Sequence, residues 1–181
     1  SKEVIQIRNP KATRPWQHVL DPLSGYLLLA EKLYKSKSEA NSNKNIYESS
    51  FNFGPSLKSN NTVLSLIKVI IKYWPGEWEI NSGNNYYESA RLHLNIDKAY
   101  HKLNWISKWS FEYSVKRTVK WYKSVFEGQK DAKKATMEDI IETLFGLEIT
   151  DENDTIIDMQ KYAKEKWKKK QNKKDILSRL N

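Results

Sequence analysis

The chain has 181 residues, of which 29% are charged and 39% hydrophobic, and its formal net charge is +9. This length and mixture suit one moderate hydrophobic core and argue against wholesale disorder. The absence of cysteine excludes a disulfide framework and thiolate chemistry, and no apolar run approaches the ~20 residues that span a bilayer. We therefore expect a soluble, cytoplasmic domain without a membrane partner.

The positive charge is concentrated near the C-terminus. Residues 159–181 contain nine Lys or Arg and two Asp or Glu, so they carry +7 of the formal +9. A nucleic-acid binder usually displays its charge on the folded face that contacts the ligand. We expect residues 151–181 to form a charged helical or disordered tail, and we expect no nucleic-acid partner.

The first elements predicted along the chain are two short extended segments followed by a helix. Alternating apolar residues predict strands at residues 5–7 and 16–20. Asp21 is placed to cap the helix, with Pro22 at its first position. Apolar residues at helical spacing extend this helix to about Tyr34, and a polar loop is expected to follow it.

The rest of the chain alternates strand and helix patterns, which favours an α/β fold. The predicted strands are 50–53, 78–80 and 90–94, and the predicted helices are 62–74, 96–103, 110–126 and 136–145. Thr136 is a plausible cap for the last of these helices. The side chains of the helix at 110–126 that are predicted to face inward are Tyr113, Val115, Val119, Tyr122 and Phe126.

Several kinds of catalytic site have no signature in this sequence. The six glycines form no G-x-G-x-x-G or phosphate-binding loop, so a dinucleotide has no recognisable cradle. His18, His93 and His101 lack metal-ligand spacing with carboxylates. Tyr162-x-x-x-Lys166 matches a catalytic Tyr-Lys pair, but it lies in a lysine-rich run where a chance match is expected.

One long motif carries a family resemblance. Residues 7–27 read IRNPKATRPWQHVLDPLSGYL, and this run resembles the CDP-glucose 4,6-dehydratases, a branch of the extended short-chain dehydrogenase/reductase family. Further likeness lies in FNFGPS at 51–56, in Glu88 with the leucines and the Lys-Ala and Asn-Trp pairs that follow, and in Trp121-Tyr122. The resemblance extends over roughly residues 1–144.

The resemblance implies the C-terminal, substrate-binding half of such an enzyme. Residues 1–60 would complete a Rossmann-type sheet, 61–150 would form the sugar-nucleotide-binding lobe, and 151–181 the tail. The missing N-terminal half, on the same or a separate chain, would supply the NAD loop and the catalytic residues. The chain alone would then bind no NAD, contain no catalytic residue and be inactive. A homo-oligomer is compatible with the resemblance.

The resemblance also implies the substrate-binding residues for a CDP-sugar. Arg14 is the leading ligand of the diphosphate, because a guanidinium fork suits phosphate oxygens and stays charged. Trp16 lines the pocket or fills the core, and Gln17 offers its amide to ligand or backbone. The residues expected to border the nucleotide are Tyr87, Glu88 and Arg91, although Arg91 could equally face solvent.

Two other functions remain as alternatives. The first is another sugar-nucleotide dehydratase or epimerase, acting on a dTDP- or UDP-sugar. The second is a non-catalytic interaction domain that uses the basic tail. His18 and Asn52 are expected to make structural hydrogen bonds rather than ligand contacts.

Overall fold

The computed structural model describes residues 4–38, 46–81, 89–145 and 165, and within them the fold is mixed α/β. The chain forms two compact units, residues 1–123 and 124–181. A single 3-10 turn at Leu57–Ser59 precedes the third strand. The strands and helices are β1 Ile5–Ile7, β2 Thr13–Pro15, α1 Leu20–Ser38, β3 Asn60–Thr62, α2 Val63–Tyr73, β4 Trp78–Ile80, α3 Asp97–Leu103, α4 Phe111–Phe126 and α5 Ala132–Phe145.

The strands of the described residues form two separate pairs. β1 and β4 are parallel, with Ile7 opposite Ile80, and Gln6 Nε2 donates to Glu79 Oε1 at 2.6 Å across the pair. β2 and β3 are antiparallel, with Arg14 opposite Asn61. The predictions of strands at 5–7 and 78–80 are therefore confirmed.

Three other strand predictions differ from the structure. The strand near Trp16 lies earlier, at β2, and residues 16–19 lie outside any strand. Residues 50–53 form no ladder, and between 90 and 94 only Arg91 makes a bridge, to Thr13. Alternation shows which side chains share a face of an extended segment, but a strand also needs a hydrogen-bonding neighbour.

The first helix is longer than predicted and is entered differently. It begins at Leu20 and continues to Ser38, into the segment expected to be a loop. The capping prediction for Asp21 is wrong, because this residue lies inside the first turn and is 2% exposed. Its carboxylate instead accepts hydrogen bonds from Ser107 Oγ at 2.7 Å and from Lys108 N at 3.0 Å.

The second helix follows its sequence signals closely. Thr62 caps α2, with its hydroxyl accepting from Ser65 N at 3.0 Å, and Pro75 follows the C-terminal end. Proline cannot donate to the previous turn, so the helix ends before it. The prediction of a helix at 62–74 is confirmed.

The later helices are also found, with corrected details. In α4, Val115 and Val119 are buried as predicted, but Tyr122 and Phe126 are 60% and 81% exposed. α5 begins at Ala132, and Thr136 lies within it, donating from its hydroxyl to Ala132 O. The capping prediction for Thr136 is therefore wrong. Of the tail expected at 151–181, all but Glu165 lies outside the described residues.

The main aromatic cluster of the first unit is built around Phe53. Trp105 packs edge-on against this ring, with 5.0 Å between centroids, and its indole nitrogen donates to Ser24 Oγ. Ala99 and Leu103 of α3 complete the buried cluster, which packs against Leu28 and Leu29 of α1. The cluster joins α1, α3 and the segment after residue 50. Residues 16–18 lie beside it, because the Gln17 side chain donates to Phe53 O.

Candidate functional site

The backbone around Arg14 is held on both sides. β3 pairs with one edge of β2. On the other side Thr13 N donates to Ala90 O at 2.9 Å, and Leu92 N donates to Thr13 O at 3.3 Å. A middle strand has its backbone groups paired in both directions, so it positions its side chains firmly.

The Arg14 side chain lies along the segment that leads to Arg91. Its Nη1 donates to Thr13 O at 2.8 Å and to Ser89 O at 3.0 Å. Arg91 is exposed and forms the bridge to Thr13, so two arginines arise from neighbouring backbone positions. A guanidinium group keeps its positive charge, and phosphate oxygens are ligands that it binds well.

Trp16 links the end of β2 to β3. Its Nε1 donates to Asn61 O at 2.9 Å, and the side chain is half-buried. A buried indole N–H normally finds an acceptor, so this contact suits the packing role left open for Trp16.

Gln17 is oriented by a single hydrogen bond. Its Nε2 donates to Phe53 O at 2.9 Å, which turns the amide oxygen the other way. That oxygen, Oε1, is buried and has no hydrogen-bond partner within the part of the chain that the structure describes. A buried acceptor without a partner lowers the stability of the folded chain by roughly 1–3 kcal/mol. Gln17 Oε1 is therefore an atom of the site that a donor group would satisfy.

The two residues expected to make structural hydrogen bonds do so. His18 is buried, accepts from Leu20 N at its Nδ1, and lies 4.5 Å from Trp109 between ring centroids. Asn52 donates from its side-chain amide to Asn95 O at 3.2 Å.

The expected site residues fall into two groups. Arg14, Trp16 and Gln17 are consecutive or nearly so, and the bridge places the backbone of Arg91 next to that of Thr13. Tyr87 and Glu88 lie outside the described residues, immediately before Ser89. The sequence did not identify Ser89 as a hydrogen-bond partner of the Arg14 side chain. The acceptor is the backbone carbonyl of Ser89, and any residue type could supply it.

Two kinds of feature are absent from the described residues. No group of three or more His, Asp or Glu side chains there is arranged to hold a metal ion. No helix among them is both long enough and apolar enough to cross a membrane.

Comparison with curated proteins gives a match to an enzyme. The chain is 32% identical over 131 residues to CDP-glucose 4,6-dehydratase of Salmonella typhimurium (strain LT2). The chain is similar to a dehydratase. The match takes in 71% of this chain and 34% of that enzyme, so the chain spans about a third of the length of its curated relative. No protein-family model matches the chain.

Both the match and the resemblance of residues 7–27 indicate that this chain is related to an enzyme. CDP-glucose 4,6-dehydratase is by its name an enzyme that acts on a sugar nucleotide.

Proposed function

We propose that this chain forms the sugar-nucleotide-binding part of an enzyme like CDP-glucose 4,6-dehydratase, the C-terminal half in order along the chain. The observation that carries the proposal is the 32% identity over 131 residues to that enzyme. The substrate would be CDP-glucose and the product CDP-4-keto-6-deoxyglucose, with NAD bound elsewhere in the complete enzyme.

Arg14 is the proposed ligand of the diphosphate. β2 is paired on both sides, so the guanidinium is presented from a firmly held strand. The bonds from Nη1 to Thr13 O and Ser89 O set its orientation. Arg91 adds a second positive charge from the neighbouring segment, and Tyr87 and Glu88 precede that segment as proposed borders of the nucleotide.

Trp16 and Gln17 have supporting roles in the proposal. Trp16 holds β2 to β3 through its bond to Asn61 O, which stabilises the strand that carries Arg14. The amide nitrogen of Gln17 donates to Phe53 O, which fixes the orientation of the amide. The amide oxygen Oε1 is therefore the atom that is left to accept a hydrogen bond. A ligand group that donates a hydrogen bond would satisfy Oε1 if the side chain moved to meet it.

The described residues do not fit NAD. Dinucleotide cradles need several glycines in one loop at a helix start. Here Gly25 lies inside α1 against Phe53, Gly54 packs against Leu94, and Gly76 and Gly128 lie far apart in sequence. NAD and the catalytic groups are assigned to the rest of the enzyme in this proposal, so the chain alone is expected to be inactive.

Titration calorimetry tests this proposal. CDP-glucose, dTDP-glucose, UDP-glucose and a generic oligonucleotide are titrated into the chain, alone and with the part of the Salmonella enzyme that lies outside the match. We expect selective CDP-glucose binding that Arg14→Ala weakens roughly 10- to 100-fold, since a hydrogen bond to a charged group contributes about 1.5–3 kcal/mol. Arg14→Lys should restore only part of the affinity, because lysine cannot form the bidentate fork.

Arg8→Ala is the matched control, since it removes the same charge from an exposed position nearby. It should leave the affinity unchanged, and circular dichroism should show that each variant is folded. Equal affinity for all three sugar nucleotides would contradict the CDP assignment. Salt-sensitive oligonucleotide binding that disappears on removing residues 159–181 would favour the interaction-domain alternative instead.

A further inference from the structure

Two consecutive asparagines occupy the first two positions of β3. Asn60 is opposite Pro15 in the antiparallel register, and Asn61 is opposite Arg14. Successive side chains of a strand point to opposite faces of the sheet, so these two amides lie on opposite faces. Of the two, Asn61 therefore shares a face with Arg14. We call this side of the β2–β3 pair the Arg14 face.

The register places the side chains of Arg14 and Asn61 next to each other. Residues directly opposite in an antiparallel pair have their Cβ atoms about 4.5–5.5 Å apart. From this position Arg14 extends away from β3, because its Nη1 donates to Ser89 O at 3.0 Å. The two polar groups therefore lie on one face, with the guanidinium toward residues 89–92 and the amide on β3.

The Asn61 amide is held in place, but the fold does not use it. The backbone of Asn61 is fixed by the ladder to β2 and by Trp16 Nε1, which donates to Asn61 O at 2.9 Å. Its side chain makes no hydrogen bond within the part of the chain that the structure describes. The residue is half-buried, and its amide is not among the buried groups of that part that lack a partner. The amide is therefore in contact with solvent, where a ligand can reach it.

The local structure does not explain why an asparagine stands at position 61. Asparagine is depleted in strands, so strand formation does not favour it there. The helix that follows is capped by Thr62, whose hydroxyl accepts from Ser65 N, so Asn61 is not needed as its cap. A carboxamide brings two N–H donors without a charge, and phosphate oxygens accept such bonds.

We infer that Asn61 is a second ligand of the substrate's diphosphate and donates from its side-chain amide to a phosphate oxygen on the Arg14 face. This inference rests on the proposed function, in which Arg14 binds the same diphosphate. A diphosphate carries oxygens on two phosphorus atoms, so it can accept from a guanidinium and an amide at once.

Calorimetric titrations of CDP-glucose and of CDP, under the conditions proposed above for Arg14, test this inference. Asn61→Ala should weaken both ligands roughly 10-fold, the lower end of the range for a hydrogen bond to a charged group. Asn60→Ala is the matched control, because Asn60 is also half-buried in β3 but lies on the opposite face. It should leave both affinities unchanged, and circular dichroism should show that each variant is folded.

A second pair of variants changes the charge and keeps the shape of the side chain. Asn61→Asp places a carboxylate beside the diphosphate, so it should weaken both ligands at least about 10-fold more than Asn61→Ala does. Raising the salt concentration should reduce this additional loss. Asn60→Asp adds the same charge on the opposite face and should weaken binding by at most about threefold.

The two asparagines also show which results would overturn the inference. Unchanged affinity in Asn61→Ala would exclude a ligand contact. Equal losses in the Asn60 and Asn61 variants would assign the effect to the stability of β3. A loss in Asn61→Ala that is seen with CDP-glucose but not with CDP would assign the amide to a hexose hydroxyl instead of the diphosphate.

The Arg14→Ala variant separates this inference from the proposed function. If CDP-glucose binding is lost in Arg14→Ala but is unchanged in both Asn61 variants, the function stands and the role of Asn61 is refuted. If the wild-type chain binds neither ligand, or if Arg14→Ala binds as tightly as wild type, the proposed function fails and the inference fails with it.

Discussion

Gly25 lies where α1 packs directly against the Phe53 ring. A Cβ built on Gly25 would lie 2.7 Å from Phe53 Cγ, closer than carbon atoms normally approach. Alanine favours helices over glycine by about 1 kcal/mol, but overpacking a core costs about 1–3 kcal/mol. We expect Gly25→Ala to lower the free energy of unfolding measured in urea.

Gly76→Ala is the control for this prediction, because a Cβ there would meet no atom within 4 Å. This variant should unfold at the wild-type urea concentration or slightly higher, since alanine restricts the unfolded chain. If Gly25→Ala proved as stable as Gly76→Ala, the Phe53 ring would have to move freely, and the close packing of α1 would be refuted.

Asp21 shows how a residue placed to cap a helix can serve a distant loop instead. Its carboxylate is almost fully buried and accepts bonds from Ser107 Oγ and Lys108 N. Removing it leaves those two donors without their acceptor, so Asp21→Ala should destabilise the chain by roughly 1–3 kcal/mol in thermal or urea unfolding.

Asp97→Ala provides the comparison for Asp21→Ala. Asp97 also lies in the first turn of a helix, α3, but it is exposed. Its loss should cost only the favourable interaction with the helix dipole, about 0.3–1 kcal/mol. Equal destabilisation by the two variants would mean that the Ser107–Lys108 loop does not depend on Asp21.

An ion pair joins two of the helices in the first unit. Lys72 Nζ of α2 lies 2.9 Å from Glu112 Oε1 of α4. The hydrogen bond and the charge of Glu112 raise the pKa of Lys72 above its ordinary value of 10.5. Because the folded pKa is raised, this stabilisation is complete below pH 10.5 and is lost as pH rises through the folded value.

We therefore expect Glu112→Gln to lower the melting temperature slightly at neutral pH and low salt. The difference from wild type should shrink in high salt and above pH 10.5, because both partners are exposed and Lys72 then loses its charge. Glu77→Gln removes an exposed carboxylate with no ion pair among the described residues and should show no such trend. A deficit that persists at high pH would mean that Glu112 acts through packing.

Sequence patterns predicted the helices better than the strands. The helix at 62–74 was specified by a threonine cap, an apolar stripe and a proline stop, all within a few residues of one another. The strands depended on partners that are distant in sequence, such as Thr62 opposite Thr13 and Arg91 beside Thr13. For this reason β2 and β3 were missed and the strand at 50–53 was predicted without a neighbour to pair with.

The candidate site shows the same division. The family resemblance of residues 7–27 predicts Arg14 as a phosphate ligand, and the structure places the backbone of Arg91 next to that of Thr13. Three features of the site could not be predicted from the sequence, because each involves a backbone group or the orientation of a side chain. They are the acceptors of the Arg14 side chain, the bond from Trp16 to Asn61 O and the Gln17 oxygen without a partner.

At the scale of the whole chain, α1 exposes apolar side chains whose position the helical pattern did not decide. The apolar residues that recur from Leu23 to Tyr34 predicted a helix, and in the structure Leu28 and Leu29 pack against the aromatic cluster whereas Leu27 and Tyr34 are 74% and 82% exposed. Periodicity identifies the helix, but only the tertiary structure decides which of its apolar side chains are covered.

Local order in this protein follows from its amino-acid sequence. Caps, stops and helical spacing act over a few neighbouring residues, so they specify α2, α3 and α4 with little help from the rest of the chain. The pairing of strands, the partners of Asp21 and the surroundings of Arg14 depend on contacts between residues 45 to 87 positions apart. Such contacts form only when the chain folds. The local sequence pattern does not show which distant group will supply the matching donor or acceptor, so these contacts were decided by the tertiary structure alone.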